Sequence, residues 1–197
     1  ALAADSNLTN VNPDGGVTAL VEADRDVTAN GNLGNVDTYT VSSTKTLTAT
    51  ADQIDGKTVN GDGSLTVNGT ATGTTNLGNL SADTVDITAA DLTADTVTWM
   101  TVAAGDDLRL TSAQATGQTI GAATDATAVI TVTGLAADAN LANVGNATAT
   151  VTALVELDRD VTANNNLGNV DTYTVTNAKT LTATAEQIDG KTVNGDG

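Results

Sequence analysis

A 47-residue stretch of this chain occurs twice. Residues 17–63, VTALVEADRDVTANGNLGNVDTYTVSSTKTLTATADQIDGKTVNGDG, return at 151–197 as VTALVELDRDVTANNNLGNVDTYTVTNAKTLTATAEQIDGKTVNGDG, an offset of 134 (151 minus 17). The copies differ only at positions 23, 31, 42, 43, 44 and 52 of the first, so 41 of 47 residues match without a gap. A copy this long and this close marks a tandem array, which narrows the folds available before any local pattern is read. The match starts earlier still, since Leu2–Val11 (LAADSNLTNV) answers Leu135–Val144 (LAADANLANV) at an offset of 133. Residues 1–134 therefore read as one full repeat unit and 135–197 as the first half of the next. The expectation is one continuous β-solenoid without natural caps.

Shorter motifs run inside the unit. Asn-Leu-x-Asn followed by Val or Leu appears at 7–11, 32–36, 76–80, 140–144 and 166–170. The gaps between its Leu residues read as multiples of roughly 22 residues, a coil length suited to a β-solenoid. TLTATADQIDGKTV (46–59) also aligns with DLRLTSAQATGQTI (107–120), keeping Leu, Thr, Gln, Gly and Thr in step. About six coils then fill each 134-residue unit.

Composition agrees with a narrow, regular interior. Phe, Cys and His are absent, and aromatic residues make up 2% of the chain. Burial must come from many small apolar side chains stacked in register. Thr is about one residue in five, and Thr and Val suit strands while Gly, Asn and Asp suit the bends between them. Strands are predicted at Thr38–Val41, Thr46–Thr50, Leu65–Val67, Val85–Thr88, Val97–Val102, Val129–Thr133 and Thr172–Val175. No capping box precedes a helix-period run, and helix is confined to short turns near Ala49–Ile54 and Ala183–Ile188. The competing architecture is an array of β-sandwiches with one or two Ig-like domains per unit. The roughly 22-residue motif spacing favours the all-β parallel β-solenoid (β-helix).

The 24 acidic against 7 basic residues give a net charge of −17, and only positions 22, 156 and 186 are Glu. Nucleic acid is an unsuitable partner for such a chain, because phosphate backbones attract a basic footprint. No apolar run reaches the length of a membrane span, so no membrane insertion is expected. Divalent cations suit the acidic surface better.

Motifs that could carry chemistry are few. Without His or Cys the usual nucleophile and base arrangements are missing, leaving carboxylates such as Asp106 and Asp107, a pair that a glycosidase could use. A site copied every 134 residues fits scaffolding better than catalysis, and the chain is read as not an enzyme. Asp24 and Asp26, with their copies Asp158 and Asp160, are candidate oxygen ligands for Ca²⁺, the one cofactor considered. Against that reading, Arg25 and Arg159 between them pair with the carboxylates on a solvated turn. The Asn residues of the repeated motif, Asn7, Asn10, Asn32, Asn35, Asn76, Asn79, Asn140, Asn143, Asn166 and Asn169, are read as a structural ladder at solenoid corners. Recurrent Thr-x-Thr pairs suit a flat ice-binding or carbohydrate-binding face if they stand in register, and otherwise are simply outward polar β-formers.

VTALVE, NLGNVDTYTV, KTLTATADQIDGKTVNGDGSLTVNGT and ITVTGLAADANL together resemble the repeats of giant bacterial surface proteins, the β-solenoid adhesins and cell-surface filament proteins. The resemblance implies an extracellular, non-catalytic rod or stalk at the cell surface, engaged in adhesion, aggregation, biofilm, surface-layer or filament formation. It implies Ca²⁺ stabilisation as a common companion. The partners it suggests are other copies or further repeats of the chain, end to end or lateral, with surface glycans and host or abiotic surfaces as further ones.

Overall fold

The computed structural model describes residues 7, 16–21, 27–29, 35–71, 73–92, 96–123, 127–145, 149–155 and 160–197. The chain packs as two compact units, Ala1–Met100 and Thr101–Gly197, a division that does not fall at the 134/135 boundary of the sequence repeat. Both units are built from short parallel strands wound into β-solenoid coils.

In the first unit the strands are β1 (Val17–Val21), β2 (Val27–Thr28), β3 (Val36–Val41), β4 (Thr46–Thr50), β5 (Thr58–Thr70), β6 (Thr74–Asn76), β7 (Leu80–Asp91) and β8 (Thr96–Thr98), with the single-turn helix α1 (Ala51–Ile54) after β4. Strands β1, β3, β5 and β7 lie side by side in that order, β4 joins β2 to β5, and β6 pairs with β8. Each pairing is parallel and joins residues one coil apart. Thr18 faces Thr38, Thr38 faces Thr58, and Val59 faces Leu80, offsets of 20, 20 and 21 residues. Those offsets are close to the coil length of roughly 22 that the motif spacing predicts.

In the second unit the strands are β9 (Thr101–Val102), β10 (Asp107–Thr111), β11 (Gly121–Ala122), β12 (Val129–Thr133), β13 (Thr150–Val155), β14 (Val161–Thr162), β15 (Thr172–Val175), β16 (Leu181–Thr182) and β17 (Thr192–Gly195). Single-turn helices α2 (Ser112–Ala115) and α3 (Ala185–Ile188) follow β10 and β16, and a 3-10 turn spans Asn165–Leu167. The order β10, β12, β13, β15, β17 is again parallel, while β9 pairs with β11 and β14 with β16.

Alternation decides which side chains enter the coil. In β3 the pattern buries Val36, Tyr39 and Val41 and leaves Thr38 and Thr40 half-buried on the outer face. In β10 it buries Leu108 and Leu110, with Arg109 outward. Register then stacks like on like: Leu47, Leu65 and Val85 form one inward column of the first unit. Leu110, Val132, Ala153 and Tyr173 form another in the second. At the spacing of about 4.8 Å between strands, such columns bring aliphatic groups into contact along the stack. The two tyrosines are an exception to an interior of small residues. Tyr39 and its copy Tyr173 are each 1% exposed and are among the largest fully buried side chains.

Two predictions change in detail. The run Val97–Val102 is not one strand, because the chain leaves β8 at Trp99 and Met100, with Met100 buried, before β9 begins. Capping boxes are also present, and they start single turns rather than long helices. Thr50, Thr111 and Thr184 each accept a hydrogen bond from the backbone of the Gln three residues on, whose side chain reaches back to the cap backbone. The reciprocal bonds satisfy amides that a helix start leaves bare, so four residues hold a helical turn that is too short to persist alone.

Candidate functional surface

The outward face of the coils carries columns of hydroxyls. Thr131, Thr152, Thr172 and Thr192 are successive partners across β12, β13, β15 and β17. In the first unit Thr18, Thr38 and Thr58 make the equivalent column, and Thr46, Ser64 and Thr84 make a second beside Thr48, Thr66 and Asp86. The Thr-x-Thr pairs thus stand partly in register. Asn60 and Asp86 interrupt them, and Asn60 is engaged by the Thr40 hydroxyl, which donates to its Oδ1 at 2.8 Å.

In its described copies, at 76–80, 140–144 and 166–170, the Asn-Leu-x-Asn motif forms a corner. Leu77, Leu141 and Leu167 point inward at 1%, 0% and 2% exposure, and the residue three on (Leu80, Val144, Val170) closes the turn by donating its amide to that Leu carbonyl. The flanking Asn residues work at the rim. Asn76 and Asn140 accept at Oδ1 from the amides of Gly78 and Ala142, and Asn166 donates its own amide to Asn164 Oδ1. Their carbonyls join coils, since Gly56 donates to Asn76, Val59 to Asn79, Gly117 to Asn140, Ile120 to Asn143 and Leu141 to Asn166. Asn169 reaches furthest: its Nδ2 donates to the carbonyls of Ala142 and Val144 at 2.7 and 3.3 Å. Asn7 is exposed and Asn35 half-buried, while Asn10 and Asn32 lie outside the described residues.

Of the proposed cation ligands, Asp24, Asp26 and Asp158 lie outside the described residues. Asp160 is exposed, and its Oδ1 accepts from the Thr180 amide at 2.8 Å. Among the described residues no three carboxylates gather to hold a metal ion. Asp106 is buried at 8% exposure, whereas Asp107, the first residue of β10, is half-buried. An open groove of the second unit is lined by Thr111, Ser112, Thr116, Thr133, Ala136 and Asp138, with Asp138 as its carboxylate.

Asp160 belongs to a pattern that the sequence reading missed. Asp37 Oδ2 accepts from the Val17 amide and Asp171 Oδ2 from the Val151 amide, each at 3.1 Å, and Asp55 Oδ1 accepts from the Asn76 amide at 2.7 Å. In every case donor and acceptor are 20 or 21 residues apart, so the carboxylate ties one coil to its neighbour. The short Asp side chain suits a gap of one strand spacing, which gives the excess of Asp over Glu a structural reason. For Asp37 the Val17 amide, reinforced by Gly16 and by Lys57 at 3.7 Å, holds the carboxyl below its ordinary pKa against a smaller opposing effect of burial.

The capping glutamines were likewise missed as coil ties. Gln53 Nε2 donates to the Ala29 carbonyl and Gln187 Nε2 to the Ala163 carbonyl, at 3.2 and 3.0 Å and 24 residues away in both copies. The available signal was Thr-x-x-Gln at the same place in all three aligned segments, TADQ, TSAQ and TAEQ. Asn164, absent from the ladder positions, donates from Nδ2 to the carbonyls of Ala137 and Ala139. Among the described residues no buried side-chain nitrogen or oxygen lacks a hydrogen-bond partner. No helix among those residues is long and apolar enough to cross a membrane. No family model matches the chain, and neither a curated protein nor a solved structure matches it.

Proposed function

We propose that the chain is a non-catalytic structural segment of an extracellular bacterial adhesin, surface layer or filament, acting as a rod or stalk in adhesion or aggregation. The observation that carries this reading is the use to which the polar side chains are put. Asp37, Asp55, Asp160, Asp171, Gln53, Gln187, Asn164 and Asn169 all spend hydrogen bonds on joining coils. Side chains committed to stacking favour a load-bearing role, and a unit repeated every 134 residues lengthens such a stack in proportion to its copies. Two or more 134-residue units displayed on a bacterial surface are expected to produce projections visible by electron microscopy and to raise clumping or surface adherence. Cells that show neither, at matched display levels, overturn the proposal.

A ligand-binding face is the second reading, favoured by the column Thr131, Thr152, Thr172 and Thr192. Regular hydroxyls on one face could order water or meet the hydroxyls of a glycan. Thermal hysteresis or glycan-array binding that disappears when Thr152 and Thr172 are replaced by Ala would establish it. The same substitutions leave a passive stalk unchanged.

A further inference from the structure

The open groove of the second unit lies between the single-turn helix α2 and the turn that follows β12, and β12 is itself followed in the stack by β13. Its volume of about 580 Å³ is that of a small-molecule site rather than a packing gap. The walls are fixed before anything enters. The Ala136 amide donates to Ser112 Oγ at 3.2 Å, and the Ala139 amide closes a turn on the Ala136 carbonyl at 3.1 Å. Asn164 Nδ2, from a later coil, donates to the carbonyls of Ala137 and Ala139 at 2.9 and 3.1 Å.

The polar groups of this groove are not spent on joining coils as their counterparts are. TSAQAT (111–116) aligns with TADQID (50–55) and TAEQID (184–189), so Ser112 stands where the others have Ala51 and Ala185, and Thr116 where they have Asp55 and Asp189. Asp55 ties its coil to the next through the Asn76 amide. Thr116 instead donates to the Ser112 carbonyl of its own turn at 2.7 Å, which leaves its oxygen able to accept. Thr133, 9% exposed, donates to the Leu110 carbonyl at 3.3 Å and keeps the same acceptor capacity. Ser112 is 2% exposed and accepts the Ala136 amide, yet among the described residues no acceptor takes its hydroxyl proton. A buried donor in that state is costly, and an oxygen atom in the groove would satisfy it. Asp138 is exposed and, unlike Asp37, Asp55, Asp160 and Asp171, has no hydrogen bond or ion pair among the described residues.

We propose that this groove binds a neutral pyranose residue of a glycan. Ser112 Oγ donates to a sugar oxygen, the Thr116 and Thr133 hydroxyls accept from sugar O–H groups, and the Asp138 carboxylate accepts from an adjacent pair of them. A pyranose carries donors and acceptors on neighbouring ring carbons, and its C–H face suits the methyl groups of Ala113 and Ala136, which also line the groove. Anions are excluded by charge, because Asp138 is the one charged residue among the described lining and no cation offsets it. A divalent cation lacks its ligands, since no three carboxylates gather among the described residues. The groove shares no residue with the column Thr131, Thr152, Thr172 and Thr192 and needs neither adhesion nor an ordered hydroxyl face, so its failure leaves both readings of function as they stand.

The test titrates the methyl glycosides of glucose, galactose and mannose, each in turn, into the 197-residue chain and follows the amide resonances of Ala113, Thr116, Gly134 and Ala136 by NMR. At least one glycoside is expected to shift them saturably with a Kd of about 1 mM, as suits a ligand of this size. Ser112→Ala introduces the residue that both aligned segments carry, so the coil should still fold. That variant and Asp138→Asn are each expected to weaken binding about tenfold, while Thr152→Ala leaves it unchanged. Absence of any shift with all three glycosides overturns the proposal, as do shifts that persist at full affinity in both groove variants. Loss of binding in Thr152→Ala overturns it too, by placing the sugar on the hydroxyl column. Binding of ethanolamine with none of the glycosides does the same, since Asp138 would then be a site for an ammonium group.

Discussion

The copies at 17–63 and 151–197 have almost the same sequence and, at the caps and turns described in both, the same local geometry, yet not the same burial. Thr50 and Thr184 donate their amides to Gln53 Oε1 and Gln187 Oε1 at 2.9 Å in both. Asp37 and Asp171 each accept a coil-bridging amide at 3.1 Å. Thr44 and Ala178, one of the six positions where the copies differ, both sit at positive φ, 67° and 61°. Ile54, in contrast, is 0% exposed and Ile188 is 36% exposed. Turns, caps and bridges to the preceding coil belong to the repeat itself. Burial of its outer apolar groups belongs to whatever stacks next.

Truncating the isoleucines should separate these two contributions most widely. Ile54→Ala opens a cavity beneath residues 64–92 and is expected to cost about 2–5 kcal/mol, against under about 1 kcal/mol for Ile188→Ala, measured by urea denaturation. Equal losses would mean that Ile188 is covered in solution. The glycines should erase the difference. A Cβ at Gly61 would run into the Val41 carbonyl oxygen and one at Gly195 into the Val175 carbonyl oxygen, both from a φ above 100°. Gly61→Ala and Gly195→Ala are each expected to cost about 1–3 kcal/mol, because the clash is with the preceding coil in both copies.

A smaller and again matched effect is expected at the caps. Thr50→Ala and Thr184→Ala each remove one half of a capping box and should cost about 1 kcal/mol. A much larger loss at Thr50 would show that α1 depends on its cover and not on its own cap.

At neutral pH the least effect comes from titration of Tyr39, whose burial pushes its pKa up to about 12 from an unfolded value near 10. The protonated phenol is the form the fold prefers. Its contribution is therefore intact below about pH 10 and is lost as pH rises toward 12. Melting temperature should fall across that window and fall less in Tyr39→Phe. Burial also raises the pKa of Tyr173, so Tyr173→Phe should blunt the same alkaline loss.

Much of the fold was legible because a repeat states its architecture many times over. Thr46–Thr50, Val129–Thr133 and Thr172–Val175 are strands as the alternation predicts, and α1 and α3 fall inside the two predicted helical turns. The strand β10 escaped notice although Leu108 and Leu110 alternate correctly, since Asp107 and Arg109 are poor strand formers whose place is decided by pairing with β12. Of the candidate site, the Asn corners could be located by spacing. Their division of labour could not, because Asn76 uses Oδ1 within its own turn while Asn169 uses Nδ2 across coils. The coil-bridging role of Asp was hidden for the same reason. Asp37 and Val17 are 20 residues apart, and only the winding of the chain makes them neighbours.

Parallel coils, the corner motif and the capped single turns follow from the chain alone, because their hydrogen bonds and steric limits act over a few residues or recur at a fixed coil length. Which apolar groups are buried, and which carboxylates and amides join coils, was decided by tertiary structure. Removal from water requires a neighbouring surface, which the next coil supplies at Ile54.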